Sequence, residues 1–165
     1  MNLGPSDLVE LRHLVDRYAD AVDRRDGGTL AALFAPDGVV VVQADGAPEE
    51  SRWTGADLPG LLDSLVAYQR TFHHVGGAVF EPDQPDQPEQ PDQPDERLDG
   101  PAARGRVHCL AHHYQRTDSG PVDLVMAVLY HDRYRRVPGS GWRMAERRVS
   151  VEWTELHPAH PRRRS

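Results

Sequence analysis

Residues 105–116 read GRVHCLAHHYQR, a stretch in which small or apolar side chains alternate with larger ones. This period of two is typical of a β-strand, because successive side chains of a strand point to opposite faces of its sheet. Cys109, Ala111 and His113 then share one face, and His112 lies on the other. Since Cys109 and Ala111 leave space beside the imidazole, the pattern predicts that His113 faces the interior.

Further regular segments extend from this strand in both directions. The β-branched run GVVVVQ at 38–43 predicts a strand that is buried on both faces. Apolar residues at helical spacing predict a first helix from Asp7 to about Arg25. The remaining predicted segments are helices at Thr29 to Phe34 and from Gly55 onward, and strands at about 74–80, 103–116, 121–136 and 141–154.

Helices that precede a run of antiparallel strands are typical of the α+β class. We therefore expect a cone-shaped α+β barrel, whose curved and mostly antiparallel sheet carries the N-terminal helices on its concave side. Such a sheet leaves room for a pocket.

The length of 165 residues predicts a single domain, which we place at 1–155. Within it, EPDQPDQPEQPDQPDERLDG repeats proline and acidic residues in steps of three, which predicts an extended, solvated loop at about 82–99. Residues 156–165 are expected to form a flexible basic tail.

The formal net charge of −7 disfavours binding to nucleic acid or to an anionic membrane surface. Lysine is absent, which excludes a Schiff-base lysine. The single cysteine, Cys109, allows no internal disulfide, and neither a signal peptide nor a membrane-spanning run is recognisable. We therefore expect a cytoplasmic protein.

A second histidine pair occurs in TFHHVGG at 71–77. Alternation again sends only one ring inward, and spacing alone does not choose between His73 and His74. Asp23 lies at the edge of the first helix's apolar stripe, where its carboxylate could hold an inward histidine as a base. The alternatives are a structural Asp–His pair that ties the helix to the sheet, or a solvated Asp.

A metal site is not expected, because adjacent histidines on a strand diverge. The sequence also has no HxH face and no HExxH helix that would gather three ligands.

Four blocks of sequence resemble the SnoaL-like branch of the nuclear-transport-factor-2-like superfamily, and in motif most closely the scytalone dehydratases. They are YADAVDRRDGGTLAALFAPDG, TFHHVGG, AHHYQR and YHDRYRRVPGSGWRMAERRVSVEW. This resemblance implies that Asp23 pairs with His113 and that His73, rather than His74, is a second active-site histidine.

The resemblance also implies departures from the dehydratase pattern. Val22 and Val42 stand where two tyrosines that polarise the substrate carbonyl are expected, and Val128 and Tyr130 stand where a serine and an asparagine are expected. Tyr18 and Tyr130 are the nearest candidates for holding an oxygen that gains negative charge.

These features lead us to expect a cofactor-independent lyase of the dehydratase type that acts on an apolar, cyclic or polyketide-like ketone in secondary metabolism. Its base would be His113 with Asp23, and its general acid would be His73. A polyketide cyclase or an isomerase would use the same proton transfers, and a non-catalytic small-molecule binding protein is the other alternative. We also expect a homodimer, because the outer face of an open sheet needs covering.

Overall fold

The computed structural model describes residues 2–43, 50–83 and 102–160. The predicted proline-rich loop at about 82–99 lies outside the described residues, apart from its first two positions. No helix in the described ranges is both long and apolar enough to cross a membrane.

Two α-helices lie at the N-terminus, α1 (Pro5–Asp23) and α2 (Gly27–Ala32). The strands are β1 (Phe34–Gln43), β2 (Ser51–Thr54), β3 (Arg70–Pro82), β4 (Ala102–Thr117), β5 (Gly120–Val137) and β6 (Gly141–Pro158). A 3-10 helix, Gly55–Leu65, connects β2 to β3 along the chain.

The described strands form one six-stranded sheet in the order β2-β1-β6-β5-β4-β3. Every neighbouring pair is antiparallel except β1 and β6. The sheet is curved but not closed, so β2 and β3 are its edges. The predicted α+β class, with early helices and a mostly antiparallel curved sheet, is confirmed.

Helix α1 buries the stripe that its sequence predicts, and it packs against β3 and β6. The Asp7 carboxylate caps its start by accepting a hydrogen bond from the backbone N–H of Gly4 at 2.9 Å. The same carboxylate accepts one from the indole N–H of Trp142 at 3.0 Å, so the first turn is tied to β6. The core lies between these helices and the inner face of the sheet.

Several elements differ from the sequence prediction, and among them Phe34, predicted to end a helix, begins strand β1. The segment from Gly55 forms a 3-10 helix, and Pro59 inside it cannot donate a backbone hydrogen bond to a regular α-helix. The stretch around Trp53, for which no strand is predicted, forms strand β2 along β1. Strand β6 continues to Pro158, so residues 156–158 belong to the sheet rather than to a tail.

Candidate active site

The end of helix α1 brings a carboxylate to the inner face of the edge strand β3. Asp23 is the last residue of α1, and α1 packs along β3. Alternation on β3 turns Thr71 and His73 inward, whereas Phe72 and His74 are exposed. His73 is therefore the inward member of its pair.

Asp23 holds His73 through two hydrogen bonds. Its Oδ1 lies 2.7 Å from Nδ1 of the imidazole, and its Oδ2 accepts the backbone N–H of His73 at 2.9 Å. An ionised carboxylate can only accept, so Nδ1 carries the hydrogen and Nε2 keeps a free lone pair. The ring is therefore oriented as a base whose reactive nitrogen points away from the acid.

Thr71 extends this arrangement toward Arg25. The Thr71 hydroxyl donates to Asp23 Oδ1 at 2.8 Å and accepts from Nη1 of Arg25 at 2.7 Å. Arg25 also donates to the backbone oxygen of Val22 at 2.7 Å and has a left-handed backbone with φ of 58°. Because Thr71 has one hydrogen to give, the chain of donors runs from Arg25 through Thr71 to the carboxylate.

These contacts keep Asp23 ionised. Burial alone raises the pKa of this carboxyl, but the hydrogen bonds from His73 and Thr71 outweigh burial and lower the pKa below its ordinary value of 3.8.

His113 lies beside this pair without joining it. Its residue is 4% exposed, its ring centroid is 5.7 Å from that of His73, and the Tyr68 ring lies 4.7 Å away. Its Nδ1 is buried and has no hydrogen-bond partner within the described part of the chain. Burial and the neighbouring His73 lower the pKa of His113, so its ring is neutral near pH 7.

The pairing of Asp23 with His113 is therefore wrong, because Asp23 binds His73 instead. The reason lies in the register, in which His73 is opposite Ala111 and His113 is opposite Thr71. Since α1 ends over β3, its carboxylate reaches the edge strand and not β4.

Residues 6–148 match the family model described as the SnoaL-like domain. The chain belongs to this family. The nearer likeness to scytalone dehydratases stays a prediction. Among curated proteins, no sequence matches the chain significantly.

Solved structures similar to this SnoaL-like domain show the same fold. The Kfla4162 protein from Kribbella flavida is 21% identical with a TM-score of 0.70, and the match covers 91% of this chain and 93% of that one. A hexachlorocyclohexane dehydrochlorinase, LinA-type3 from Novosphingobium barchaimii, is 15% identical with a TM-score of 0.70, covering 95% and 96%. An NTF2-like protein with a cystatin-like fold from Novosphingobium aromaticivorans is 22% identical with a TM-score of 0.62, covering 89% and 82%.

The predicted substrate-contacting residues of this SnoaL-like domain lie together in the interior. Tyr18, Val22, Val128 and Tyr130 are buried members of one apolar cluster, and Val42 packs against it. The rings of Tyr18 and Tyr130 meet edge to face at 6.0 Å. Burial raises the pKa of both tyrosines, so their hydroxyls keep their hydrogens and can donate.

The sequence prediction missed a buried arginine next to these tyrosines. The Arg147 guanidinium lies 4.0 Å from the ring of Tyr18 and 4.2 Å from that of Tyr130, and it is fully buried. Its Nε and Nη2 donate to Asp132 at 2.8 and 2.6 Å, and Asp132 also accepts from the Tyr134 hydroxyl at 2.5 Å. Nη1 of Arg147 has no partner in the described ranges.

Burial alone lowers the pKa of Arg147, but attraction to Asp132 outweighs it and raises that pKa, so the arginine stays charged. This SnoaL-like domain thus has a carboxylate-bound imidazole, His73, and a separate buried cationic donor, Arg147. Among the described residues, no three His, Cys, Asp or Glu side chains are grouped to hold a metal ion.

Proposed function

We propose that this SnoaL-like domain is a cofactor-independent lyase of the dehydratase type, acting on a cyclic or polyketide-like ketone. The observation that supports it best is the double hydrogen bond between Asp23 and His73, with Nδ1 at 2.7 Å from the carboxylate. This arrangement fixes one tautomer and leaves Nε2 as a base aimed inward.

In the proposed reaction, Nε2 of His73 removes a proton from the carbon next to the substrate carbonyl. The electron pair of the C–H bond moves toward the carbonyl oxygen to form an enolate, and collapse of the enolate then forms the new double bond as the neighbouring C–O bond breaks. The leaving hydroxide then takes the proton from the His73 imidazolium, which restores the base and releases water. Throughout, Asp23 accepts the hydrogen bond from Nδ1–H of His73, and its negative charge stabilises the imidazolium.

His113 would have a supporting part in this reaction. Its pKa is lowered, so it stays neutral and can donate a hydrogen bond to a substrate oxygen without delivering a full proton. In this proposal His73 both removes and returns the proton, whereas the sequence analysis expected His113 as the base and His73 as the general acid.

The arginine and the tyrosines would bind the far end of the substrate. His73 is opposite Ala111 and Tyr130 is opposite Val107, so the two sites lie four residues apart on β4, or about 13 Å at the usual rise of a strand. A polyketide-like molecule with an oxygen at each end matches this separation. Its distant oxygen would accept from the Arg147 guanidinium or a tyrosine hydroxyl.

Two dehydrochlorinase structures share this fold, and that likeness of fold is an analogy that supports an elimination reaction. Loss of HCl and loss of water both begin with removal of a proton from carbon. A cyclase or an isomerase would share that first step.

A non-catalytic binding protein is the second candidate. The observation that favours it is the closed surrounding of His113, which is 4% exposed and packed against Tyr68 and His73. The valines at 22, 42 and 128 would suit an apolar ligand as well as a substrate.

The decisive experiment measures exchange of the hydrogens next to the carbonyl of cyclic hydroxyketones in D2O by NMR. This exchange reports the first proton transfer whatever the second step is. We expect the parent protein to catalyse exchange, and His73→Ala to lower the rate by about two to four powers of ten. Asp23→Asn should be nearly as damaging, because an amide cannot hold the imidazole in its productive tautomer.

His112→Ala is the matched control, because His112 has its own carboxylate partner, Asp123 at 2.7 Å, but lies on the opposite face of β4. It should keep the parent's exchange rate. Parent-like exchange by His73→Ala would refute the catalytic proposal. A parent that binds such ketones but exchanges none of them would establish the binding protein instead.

A further inference from the structure

The turn that follows helix α1 has an unusual residue at its left-handed position. Arg25 has a φ of 58°, and no other non-glycine residue in the described ranges has a positive φ. The backbone N–H of Asp26 donates to Ala21 at 2.8 Å and that of Arg25 donates to Val22 at 3.1 Å, which is the pattern of a Schellman motif. Glycine is the usual residue at this position, because a side chain there strains the backbone.

The side chain of Arg25 makes contacts that a glycine could not make. Its Nη1 lies 2.7 Å from the backbone oxygen of Val22 and 2.7 Å from the hydroxyl oxygen of Thr71. Its Nη2 lies 3.5 Å from the backbone oxygen of Leu65, the last residue of the 3-10 helix. Strained backbone that persists beside a site is a reason to look for a functional role of the residue.

The contact with Thr71 decides where the hydroxyl hydrogen of that residue points. A guanidinium only donates, so Arg25 occupies the Thr71 oxygen as an acceptor. The hydroxyl hydrogen is then directed to Oδ1 of Asp23, 2.8 Å away. The same Oδ1 accepts the Nδ1–H of His73 at 2.7 Å. Without the guanidinium, the hydroxyl would be free to turn its hydrogen to another acceptor.

The charge of Arg25 acts on the second histidine of the site as well. Burial and the neighbouring His73 lower the pKa of His113, and the Arg25 cation lowers it further. One side chain thus helps to keep His113 neutral and contacts the hydroxyl that holds Asp23.

We propose that Arg25 is a positioning residue of the active site, whose guanidinium directs the Thr71 hydrogen to Asp23 at the expense of a strained backbone. It acts on His73 through Thr71 and Asp23 and does not touch the substrate. Its effect on the reaction rate rests on the proposed function, whereas its effect on Asp23 does not.

Arg25→Gly and Arg25→Ala test this role, because both remove the guanidinium and only glycine relieves the strain. We expect both variants to raise the pKa of Asp23 toward 3.8, measured by carboxyl carbon NMR. Both should also slow exchange of ketone hydrogens by about tenfold, the loss of one hydrogen bond to a charged group. The urea midpoint should nevertheless be higher for Arg25→Gly than for Arg25→Ala. If Arg25→Gly kept the parent's exchange rate and only Arg25→Ala were slow, the arginine would serve the fold and the proposal would fail.

A double variant tests whether Arg25 acts through Thr71. Arg25→Gly combined with Thr71→Val should shift the pKa of Asp23 no further than Thr71→Val alone. Arg24→Ala is the matched control, because the Arg24 side chain is 66% exposed and pairs with Asp20 at 3.3 Å, and it should keep the parent's pKa and rate.

Two results would overturn the proposal. One is an Asp23 pKa that Arg25→Gly leaves unchanged, and the other is a double variant whose shift is the sum of the two single shifts. A parent that exchanges no ketone would refute the proposed function alone, because the pKa of Asp23 still tests the role of Arg25.

Discussion

At the scale of single residues, the hydrogen bond from Thr71 to Asp23 is the contact with the most direct chemical consequence. Thr71→Val keeps the shape of the side chain and removes the 2.8 Å hydrogen bond. Since that bond helps to lower the pKa of Asp23, we expect the pKa to rise toward 3.8 in the variant. Carboxyl carbon NMR across the acid range measures this shift directly.

The matched control for this change is Thr71→Ser, which restores the hydroxyl and should restore the lowered pKa. If the proposed function holds, Thr71→Val should also slow exchange by about tenfold while Thr71→Ser stays near the parent. An unchanged Asp23 pKa in Thr71→Val would show that the hydroxyl does not contribute to lowering the pKa of this carboxyl.

The second prediction concerns His113 and the pH dependence of the free energy of unfolding. Its folded pKa is lowered from 6.5, chiefly by burial, so the unfolded chain binds a proton at higher pH than the folded protein does. The contribution of neutral His113 to the free energy of unfolding is therefore complete above pH 6.5. It falls on acidification, with a slope of at most about 1.4 kcal/mol per pH unit. His113→Gln should therefore lose less free energy of unfolding than the parent between pH 7.5 and 5.5.

Urea denaturation at both pH values measures this difference. His74→Gln is the control, because its ring is exposed on the outer face, and it should keep the parent's pH dependence. If the slopes of His113→Gln and the parent coincide, the ring of His113 is not held neutral by its surroundings.

At the scale of elements, side-chain alternation was enough to orient two strands. It assigned His113 to the inner face of β4, and with the family resemblance it assigned His73 to that of β3. Alternation failed on β6, because an irregularity in the register near Ala145 inverts the order of faces along the strand. Counting from the buried Trp142 would send Arg147 outward, so the buried guanidinium could not be found from the sequence.

The pairing of Asp23 also lay beyond the sequence, for a different reason. A helical stripe shows that the carboxylate lies at the edge of the buried face, but it does not show which strand the helix end covers. That choice between β3 and β4 depends on how the whole helix packs. The same holds for β2, whose four residues become a strand through pairing with β1.

The irregular strand β6 supplies the third prediction, on the buried ion pair. Arg147 and Asp132 are both fully buried, so Asp132→Ala would leave a charged guanidinium without its partner. We expect a loss of about 3–5 kcal/mol in the free energy of unfolding, measured by urea denaturation.

The exposed pair Arg12–Asp16 on α1 is the control for this variant. Its side chains are 39% and 50% exposed, so Asp16→Ala should cost only about 0.3–0.5 kcal/mol. Similar losses in the two variants would show that the buried pair contributes no more than a surface one.

At the scale of the whole molecule, the negative charge is concentrated in one connection. Residues 84–101 contain six acidic residues and one arginine, and so carry most of the net charge of −7. Composition was enough to single out this segment as different from the rest of the chain. What it contributes to the protein does not follow from composition, because the segment lies outside the described residues.

The residues that flank this segment occupy neighbouring positions on the paired strands β3 and β4. The backbone N–H of Asp83 donates to the backbone oxygen of Ala102 at 3.0 Å, and Pro82 is paired with Ala103. A two-residue Asn-Gly turn can therefore replace 84–101 without moving β3 or β4.

We expect this shortened protein to fold as the parent does, because the segment has almost no apolar residues to bury. Shorter loops also lose less entropy on closure, which predicts equal or higher stability, by up to about 2 kcal/mol. Urea denaturation measures the stability, and earlier elution from an anion exchanger confirms the lost charge.

An 18-residue Gly-Ser replacement separates the effect of length from that of sequence, and it should match the parent's stability. A marked loss of stability in both replacements would show that the acidic segment packs on the sheet.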